Sequence, residues 1–139
     1  MRAKFAVFLA CAAVIMTGCG GLIKAKAASE AAIHHFHQLL SDGKFEDIWE
    51  EASPKFRNAS KKEKYDEFMS ALQRKLGKVK STSNVSWKVS TYNLTTTVLM
   101  TQKTVFEKGE GTESFTFEID GDKAVLVGYN VQSMDLITK

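Results

Sequence analysis

The sequence predicts an α+β domain in which helices pack on one antiparallel sheet, because its two halves have different hydrophobic periods. Between residues 29 and 77 the apolar side chains recur at helical spacing, and between residues 83 and 134 they alternate with polar ones, as in strands. Helices followed by strands are typical of the α+β class, whereas α/β proteins alternate the two. Residues 29–139 are therefore expected to form a single domain that buries its own core.

Two helices are predicted before the single proline, Pro54. The first covers about residues 29–41, with Ser29 as its N-cap. It is expected to end at Asp42-Gly43, because glycine tolerates the left-handed backbone of a helix end. The second helix covers Phe45–Ala52 and buries its apolar side chains.

The third helix is predicted between Ser60 and Gly77, after a turn at Ser53 from which Phe56 fills the core. Ser60 and Glu63 have the spacing of a capping box, in which each side chain satisfies a free backbone N–H group. Gly77 is expected to end the helix. The apolar residues at helical spacing are expected to form its buried face: Tyr65, Phe68, Met69, Leu72 and Leu76.

Four strands joined by short turns are predicted in the second half, so the sheet is expected to be an antiparallel meander. Turn signals lie at residues 108–111 and at Asp120-Gly121, and Gly128 is expected to mark a bend or bulge in the fourth strand. We expect the helices to cover one face of a curved sheet and to leave a pocket there. The side chains on that face are predicted to be apolar: Val85, Trp87, Val89, Leu94, Val98, Met100, Phe106, Phe115, Phe117, Ile119, Val125, Val127, Tyr129 and Val131.

The start of the chain has the pattern of a lipoprotein signal. Arg2 and Lys4 precede an apolar run at residues 5–16, which is shorter than the roughly 20 residues that span a bilayer. Residues 16–19, Met-Thr-Gly-Cys, then resemble a lipobox, which is cleaved between Gly18 and Cys19 so that the Cys19 thiol carries a diacylglycerol. An ordinary cleaved signal and a permanent transmembrane anchor stay open as alternatives.

The predicted organisation is therefore a signal peptide over residues 1–18, a lipidated cysteine with a short tether over 19–28, and one domain over 29–139. Acyl chains on Cys19 predict a cell-envelope protein with the lipid bilayer as partner. Resemblance to known lipoproteins implies the periplasmic side of the outer membrane in a Gram-negative organism, because Gly20 follows the cysteine. Cys11 leaves with the signal, so no thiol or disulfide chemistry is expected in the mature chain.

The first helix and three short stretches resemble a family of small exported bacterial proteins, the domain-of-unknown-function family DUF4019. The stretches are residues 49–57, 75–77 and 127–129, within a resemblance that covers roughly residues 27–132. The family implies the cystatin-like fold of nuclear transport factor two, in which a curved sheet and a helix form a cone. It supplies no catalytic residues, and its matching positions imply structural roles for Trp49, Ser53, Phe56, Gly77, Gly128 and Tyr129.

No metal or other cofactor is expected. His34 and His37 lie one helical turn apart, with Glu30 one turn earlier, but two imidazoles without a third firm ligand make a weak metal site. The net charge of +3 includes Arg2 and Lys4, which are removed with the predicted signal. The mature chain is therefore nearly neutral, and no nucleic-acid partner is expected. The acidic residues around the second helix are expected to face water: Asp42, Glu46, Asp47, Glu50 and Glu51.

The leading hypothesis for function is a noncatalytic, membrane-anchored domain that binds a small apolar ligand or an envelope protein. The alternative is a pocket enzyme of the ketosteroid isomerase or polyketide cyclase sort, which needs an inward acid or histidine with an inward tyrosine. A purely structural subunit of an envelope complex, with a filled pocket, is the third class. An open apolar pocket without carboxylates would favour ligand binding. The tyrosines and turn aspartates available to an enzyme are Tyr65, Tyr92, Tyr129, Asp120 and Asp122.

Overall fold

The computed structural model describes residues 20–139 and confirms the α+β class, with helices followed by a curved, open, four-stranded antiparallel sheet. The strands pair in chain order, as expected of a meander. Residues 1–18, predicted as the signal, and Cys19 lie outside the described residues. The elements are α1 (Gly20–Ser41), α2 (Phe45–Glu51), α3 (Pro54–Asn58), α4 (Lys62–Leu76), β1 (Val79–Tyr92), β2 (Thr95–Phe106), β3 (Gly109–Asp120), β4 (Lys123–Gln132) and α5 (Met134–Thr138).

Helix α1 begins at Gly20, nine residues before the predicted start at Ser29. The segment predicted as a tether, residues 20–28, is helical, because its alanines favour a helix and Ala25 packs into the core. Ser29 is not an N-cap. It lies inside the helix, fully buried, and its hydroxyl donates to the Ala25 carbonyl at 2.8 Å.

Helix α1 lies antiparallel to β1. Near the C-terminal end of α1, the Val79 backbone N–H donates to Ser41 Oγ at 3.1 Å. Further towards its N-terminus, the Lys26 ammonium lies 5.6 Å from the centroid of the Trp87 ring. The N-terminus of α1 therefore points towards the turn that joins β1 to β2.

Two predicted features of the middle helices are wrong. The turn after Ser53 is a short helix, α3, which forms because Pro54 is accepted at its first position and the Ser53 hydroxyl accepts a hydrogen bond from the Lys55 backbone N–H at 3.2 Å. Phe56 nevertheless packs against the core, as predicted. The capping box is absent, since α4 begins only at Lys62 and the Ser60 hydroxyl donates to the Lys61 carbonyl instead. Helix α4 ends at Gly77 as predicted.

The core lies between the helices and strands β2, β3 and β4. Alternate residues of β2 and β3 point into it, among them Val98, Met100, Phe115 and Phe117. The predicted burial of β1 is wrong for Val85 and Trp87, because this edge strand is exposed along nearly its whole length. Val89 is partly buried and packs against the core, as predicted. Leu94 is also exposed, in the β1–β2 turn. On α4, the predicted buried face is correct except for Phe68, which is 41% exposed.

A bulge in β4 changes which of its residues face the core. Leu126 pairs with Phe117 and Gly128 with Thr116, so Val127 is an extra residue without a partner on β3. An extra residue reverses the alternation of a strand. Leu126 is therefore buried in place of the predicted Val125 and Val127, whereas Tyr129 beyond the bulge still packs against the core. The irregularity falls next to Gly128, where the sequence predicts one.

Candidate functional site

An open cleft of about 350 Å³ lies between the helices and β4, and we call it the aromatic cleft. Helices α2 and α3 contribute Trp49 and Phe56, and α4 contributes Tyr65 and Phe68. Residues 127–130 of β4 form the opposite wall, where the bulge lies. The cleft forms because α2, α3 and α4 direct aromatic side chains towards the bulge of β4.

Three rings pack into one wall of the aromatic cleft. The ring centroids of Trp49 and Tyr65 are 4.8 Å apart, and Phe56 lies 6.2 Å from Trp49 and 5.9 Å from Tyr65. The Tyr65 hydroxyl donates to the Phe45 carbonyl at 2.7 Å, which fixes the ring. Burial, followed by the charges of nearby acidic residues, raises the pKa of Tyr65, so this phenol stays protonated and cannot serve as a base.

Polar contacts around the aromatic cleft hold its helices in place. The Ser53 backbone N–H donates to the Leu126 carbonyl at 2.9 Å, which ties the start of α3 to β4. The Arg57 guanidinium donates to backbone carbonyls at the end of α2. The Lys62 ammonium lies 2.6 Å from a Glu46 carboxylate oxygen, joining α4 to α2. The cleft is therefore largely preformed.

The aromatic cleft is only partly covered beside the three packed rings. Phe68 stands half-exposed, with its ring centroid 6.3 Å from that of Tyr129. Besides its two tyrosines, the cleft has the polar side chains of Ser60, Lys64 and Asn130, and no carboxylate of residues 20–139 belongs to the lining. The chemistry of the lining thus suits an apolar body with a polar or anionic end.

A second arrangement, buried beneath the cleft, consists of four side chains that we call the glutamate cluster: Glu113, His37, Thr104 and Tyr129. His37 Nε2 lies 2.7 Å from Glu113 Oε1, the Thr104 hydroxyl donates to the same oxygen, and the Tyr129 hydroxyl donates to Oε2 at 2.5 Å. Glu113 is 0% exposed. Burial, followed by the Glu113 charge, raises the pKa of Tyr129 well above its ordinary value.

The sequence pattern that predicts the fold does not predict the glutamate cluster, although the position of Glu113 in β3 indicates its burial. Glu113 lies two and four residues before Phe115 and Phe117, so the alternation of β3 places it on the buried face. The aspartates considered from the sequence, Asp120 and Asp122, lie at the β3–β4 turn instead. Tyr92 is exposed at the end of β1. An inward acid does meet an inward tyrosine here, but the acid is Glu113.

The histidines considered as metal ligands are not brought together. His34 is exposed, His35 lies 2.7 Å from Glu51 on the surface, and His37 turns inward to the glutamate cluster. Glu30 pairs with Lys26. Within residues 20–139 no group of three or more His, Cys, Asp or Glu side chains is placed to hold a metal ion. In the same part of the chain, no helix is both long enough and apolar enough to cross a membrane.

Four of the six positions singled out by family resemblance line the aromatic cleft: Trp49, Phe56, Gly128 and Tyr129. The other two lie at helix ends. Ser53 precedes α3, and Gly77 follows α4 with a φ of 77°. A Cβ atom at Gly77 would lie 3.0 Å from Glu107 Cβ, so the backbone favours glycine here and a larger residue would require Glu107 to shift.

These features define a small α+β domain with one aromatic cleft and a buried polar cluster. A family model described as "Protein of unknown function (DUF4019)" matches residues 32–129, and the chain therefore belongs to this family. A solved chain titled "Structure of Bdellovibrio bacteriovorus Bd1075" is similar with a TM-score of 0.48 and 12% sequence identity. That similarity covers 76% of this chain and 39% of the Bdellovibrio bacteriovorus chain. No curated protein matches.

Proposed function

We propose that this protein is a lipid-anchored, noncatalytic binding protein of the bacterial cell envelope, and that its aromatic cleft takes up a small apolar ligand. The observation that carries the proposal is the cleft itself, which is open, walled by Trp49, Phe56, Tyr65 and Phe68, and free of carboxylates. Its volume of about 350 Å³ lies within the range of small-molecule sites.

The distribution of polar groups suggests the kind of ligand. Transfer of apolar surface from water contributes about 25 cal/mol per Å², and the half-exposed Phe68 ring offers such surface. Lys64 supplies the cation of the lining, and its surface ion pair with Glu67 is of a kind that contributes little stability. We therefore propose an amphiphile whose apolar body contacts the rings and whose anionic end faces Lys64.

The envelope location rests on the sequence of the N-terminal segment. The charged start, the apolar run and the Met-Thr-Gly-Cys motif support lipidation of Cys19. Metabolic labelling with an alkyne fatty acid tests this part of the proposal: the wild-type chain is expected to be labelled and Cys19→Ala is not. Equal labelling of the two chains, or none of either, would contradict it.

A pocket enzyme is the second candidate, and one observation favours it: an inward acid, Glu113, contacts an inward tyrosine and a histidine. However, Glu113 is fully shielded, and its two oxygens already accept hydrogen bonds from, or lie within bonding distance of, Tyr129, Thr104 and His37. A general base must come within hydrogen-bond reach of its substrate. The cluster therefore supports a structural role better than a catalytic one.

The two tryptophans allow a direct test of the cleft. Trp49 lines it, whereas Trp87 lies on β1. In residues 20–139, which contain the whole described core, Trp87→Phe leaves Trp49 as the sole tryptophan, which can be excited selectively over the tyrosines. Titration with decanoate, an apolar chain with an anionic end, is expected to change Trp49 emission saturably.

Two controls complete this titration. The Trp49→Phe domain, which keeps Trp87, is expected to show no saturable change, and Phe68→Asp in the Trp87→Phe background should abolish the response. Ile137→Asp in that background is the matched surface variant, because Ile137 is an exposed apolar residue on α5, away from the cleft. A response that survives Phe68→Asp, or its absence from the unsubstituted cleft, would count against the proposal.

A further inference from the structure

One end of the molecule combines the first turns of α1 with the turn between β1 and β2, and we call it the α1 end. Gly21 and Lys24 line the same surface depression as Thr96, the second residue of β2. Thr96 follows the turn residue Leu94 by two positions. Together with the antiparallel course of α1 along β1, this contact places the helix N-terminus and the β1–β2 turn side by side.

Large apolar and aromatic side chains are exposed on both elements of the α1 end. Leu22 and Ile23 of α1 are 47% and 66% exposed. Tyr92 and Leu94 of the hairpin are 79% and 101% exposed. Scattered exposed apolar residues are ordinary, but a group of them at one end of a molecule marks a surface that contacts something apolar.

The backbone at Leu94 adds an independent observation. Asn93 and Leu94 both have positive φ, at 47° and 64°. A two-residue hairpin turn of this kind favours Asn-Gly, since a Cβ atom at the second position is strained. Leu94 is fully exposed, so no packing within the described chain compensates for that strain. A leucine at this position is therefore unexplained by folding.

We infer that the α1 end is the surface that faces the bilayer, with Leu22, Ile23, Tyr92 and Leu94 entering its interfacial layer. This inference rests on the proposed lipid anchor. Cys19 immediately precedes Gly20, the first residue that the structure describes, so the acyl chains would be attached next to this end. Tyrosine favours the membrane interface because its ring is apolar and its hydroxyl is polar. The exposed Lys24 is positioned to meet anionic lipid headgroups.

The test uses the full chain, acylated in its host and reconstituted into vesicles of phosphatidylcholine and phosphatidylglycerol. Acylation blocks Cys19, so the cysteine of Leu94→Cys is the one that takes the environment-sensitive dye NBD, and the wild-type chain checks this by remaining unlabelled. Ile137→Cys is the matched control. Ile137 is also apolar and exposed, but α5 lies at the opposite end of the sheet, where Asp135 accepts a hydrogen bond from the Glu110 backbone N–H.

Brominated acyl chains in the vesicles quench a dye that reaches the bilayer. The inference predicts that the dye at position 94 is quenched several times more strongly than the dye at position 137, and that its emission shifts to the blue on reconstitution. Equal quenching at the two positions in protein that floats with the vesicles would overturn the inference and leave the lipid anchor intact. Protein that does not float with the vesicles would overturn both.

Discussion

The aromatic cleft and the glutamate cluster share one residue, Tyr129, but they differ in polarity and in access from solvent. The Tyr129 ring lines the cleft, and its hydroxyl donates to Glu113 in the cluster. The cleft is open, apolar and without carboxylates, whereas the cluster is polar, buried and filled with mutual contacts. An acid, a histidine and a tyrosine in contact do not by themselves make an active site, because a reacting group must also be reached by a substrate.

We therefore expect the glutamate cluster to contribute mainly to stability and the aromatic cleft mainly to binding. Within residues 20–139 no buried side-chain nitrogen or oxygen lacks a hydrogen-bond partner, so the cluster is fully satisfied. Removing one member would leave others unpaired and lower the free energy of unfolding. The partly exposed rings of the cleft contribute less to the core and more to a ligand. Substitutions in the two regions are therefore expected to affect different measurements.

The largest effect on stability is expected from Glu113→Ala. Loss of this carboxylate leaves His37, Thr104 and Tyr129 without their shared partner, and each buried polar group left unpaired costs about 1–3 kcal/mol. Urea unfolding followed by far-ultraviolet circular dichroism measures it. Glu118→Ala is the matched control on the same strand, because Glu118 forms a partly exposed ion pair with Lys55, worth less than about 1 kcal/mol. Similar losses in the two variants would contradict the role assigned to the cluster.

Tyr129→Phe is expected to have the next largest effect. It removes one hydrogen bond to a charged buried group, which costs about 1.5–3 kcal/mol near neutral pH. The ring itself remains, so the cleft wall is kept. Unfolding in urea at neutral pH measures the loss, and decanoate binding to the Trp49 reporter checks the cleft. Loss of binding with unchanged stability would reverse the assignment of the two regions.

The same variant has a predicted pH signature. The pKa of Tyr129 is raised above 10.0 in the folded protein, so the unfolded chain loses this proton at lower pH than the folded one. Its contribution to stability is thus fully present below the unfolded pKa and is lost as pH rises through the folded pKa. Tyr129→Phe is expected to lose less stability than the wild type as the pH rises above about 10. Parallel curves for the two proteins would contradict this prediction.

Gly77→Ala tests a helix end outside both regions. Gly77 has a φ of 77° and a ψ of −158°, a region that costs a non-glycine residue about 1–3 kcal/mol, and the new Cβ would crowd Glu107. Stability is expected to fall by at least that amount in urea unfolding, with decanoate binding unchanged in the folded protein. Gly121→Ala is a useful comparison, since it has a positive φ but open space around it. If Gly77→Ala lowers stability no more than Gly121→Ala does, the Glu107 side chain must move aside for the new Cβ, contrary to this prediction.

The smallest effect on stability is expected from Phe68→Ala, and it should nevertheless weaken binding most clearly. Phe68 is half-exposed, so its truncation should cost less than the roughly 2–5 kcal/mol of a buried large-to-small change such as Met69→Ala. Affinity for decanoate is expected to fall about tenfold, equivalent to about 1.4 kcal/mol. Ile137→Ala should change neither quantity. Unchanged affinity in Phe68→Ala would remove Phe68 from the proposed site.

The fold was largely predictable because its signals are periodic. The change from helical spacing to alternation, with turn signals between the strands, was enough for the α+β class and the meander. Alternation alone does not reveal a bulge. The extra residue Val127 shifts the alternation of β4, so that Leu126 is buried where the regular pattern predicts Val125. The exposure of Trp87 could not be predicted either, because alternation along β1 does not say which strands the helices cover.

The candidate site was predictable only in part. Trp49, Phe56 and Tyr129 were assigned structural roles through family resemblance, and the structure shows that they meet at one cleft. Phe68 was predicted to be buried because helical spacing identifies a face but not its edge. Glu113 was missed because a charged residue is not expected at a buried position unless its partners are known, and those partners come from α1, β2 and β4.

The central claim is that the aromatic cleft holds a small apolar molecule, and native mass spectrometry tests it most directly. The full chain and its Phe68→Asp variant are purified in parallel from the envelope of the native host and released gently from detergent in the instrument. The account predicts an additional small-molecule mass on the wild-type chain that is absent from Phe68→Asp. A wild-type chain carrying only its acyl groups, or the same adduct retained by Phe68→Asp, would contradict it.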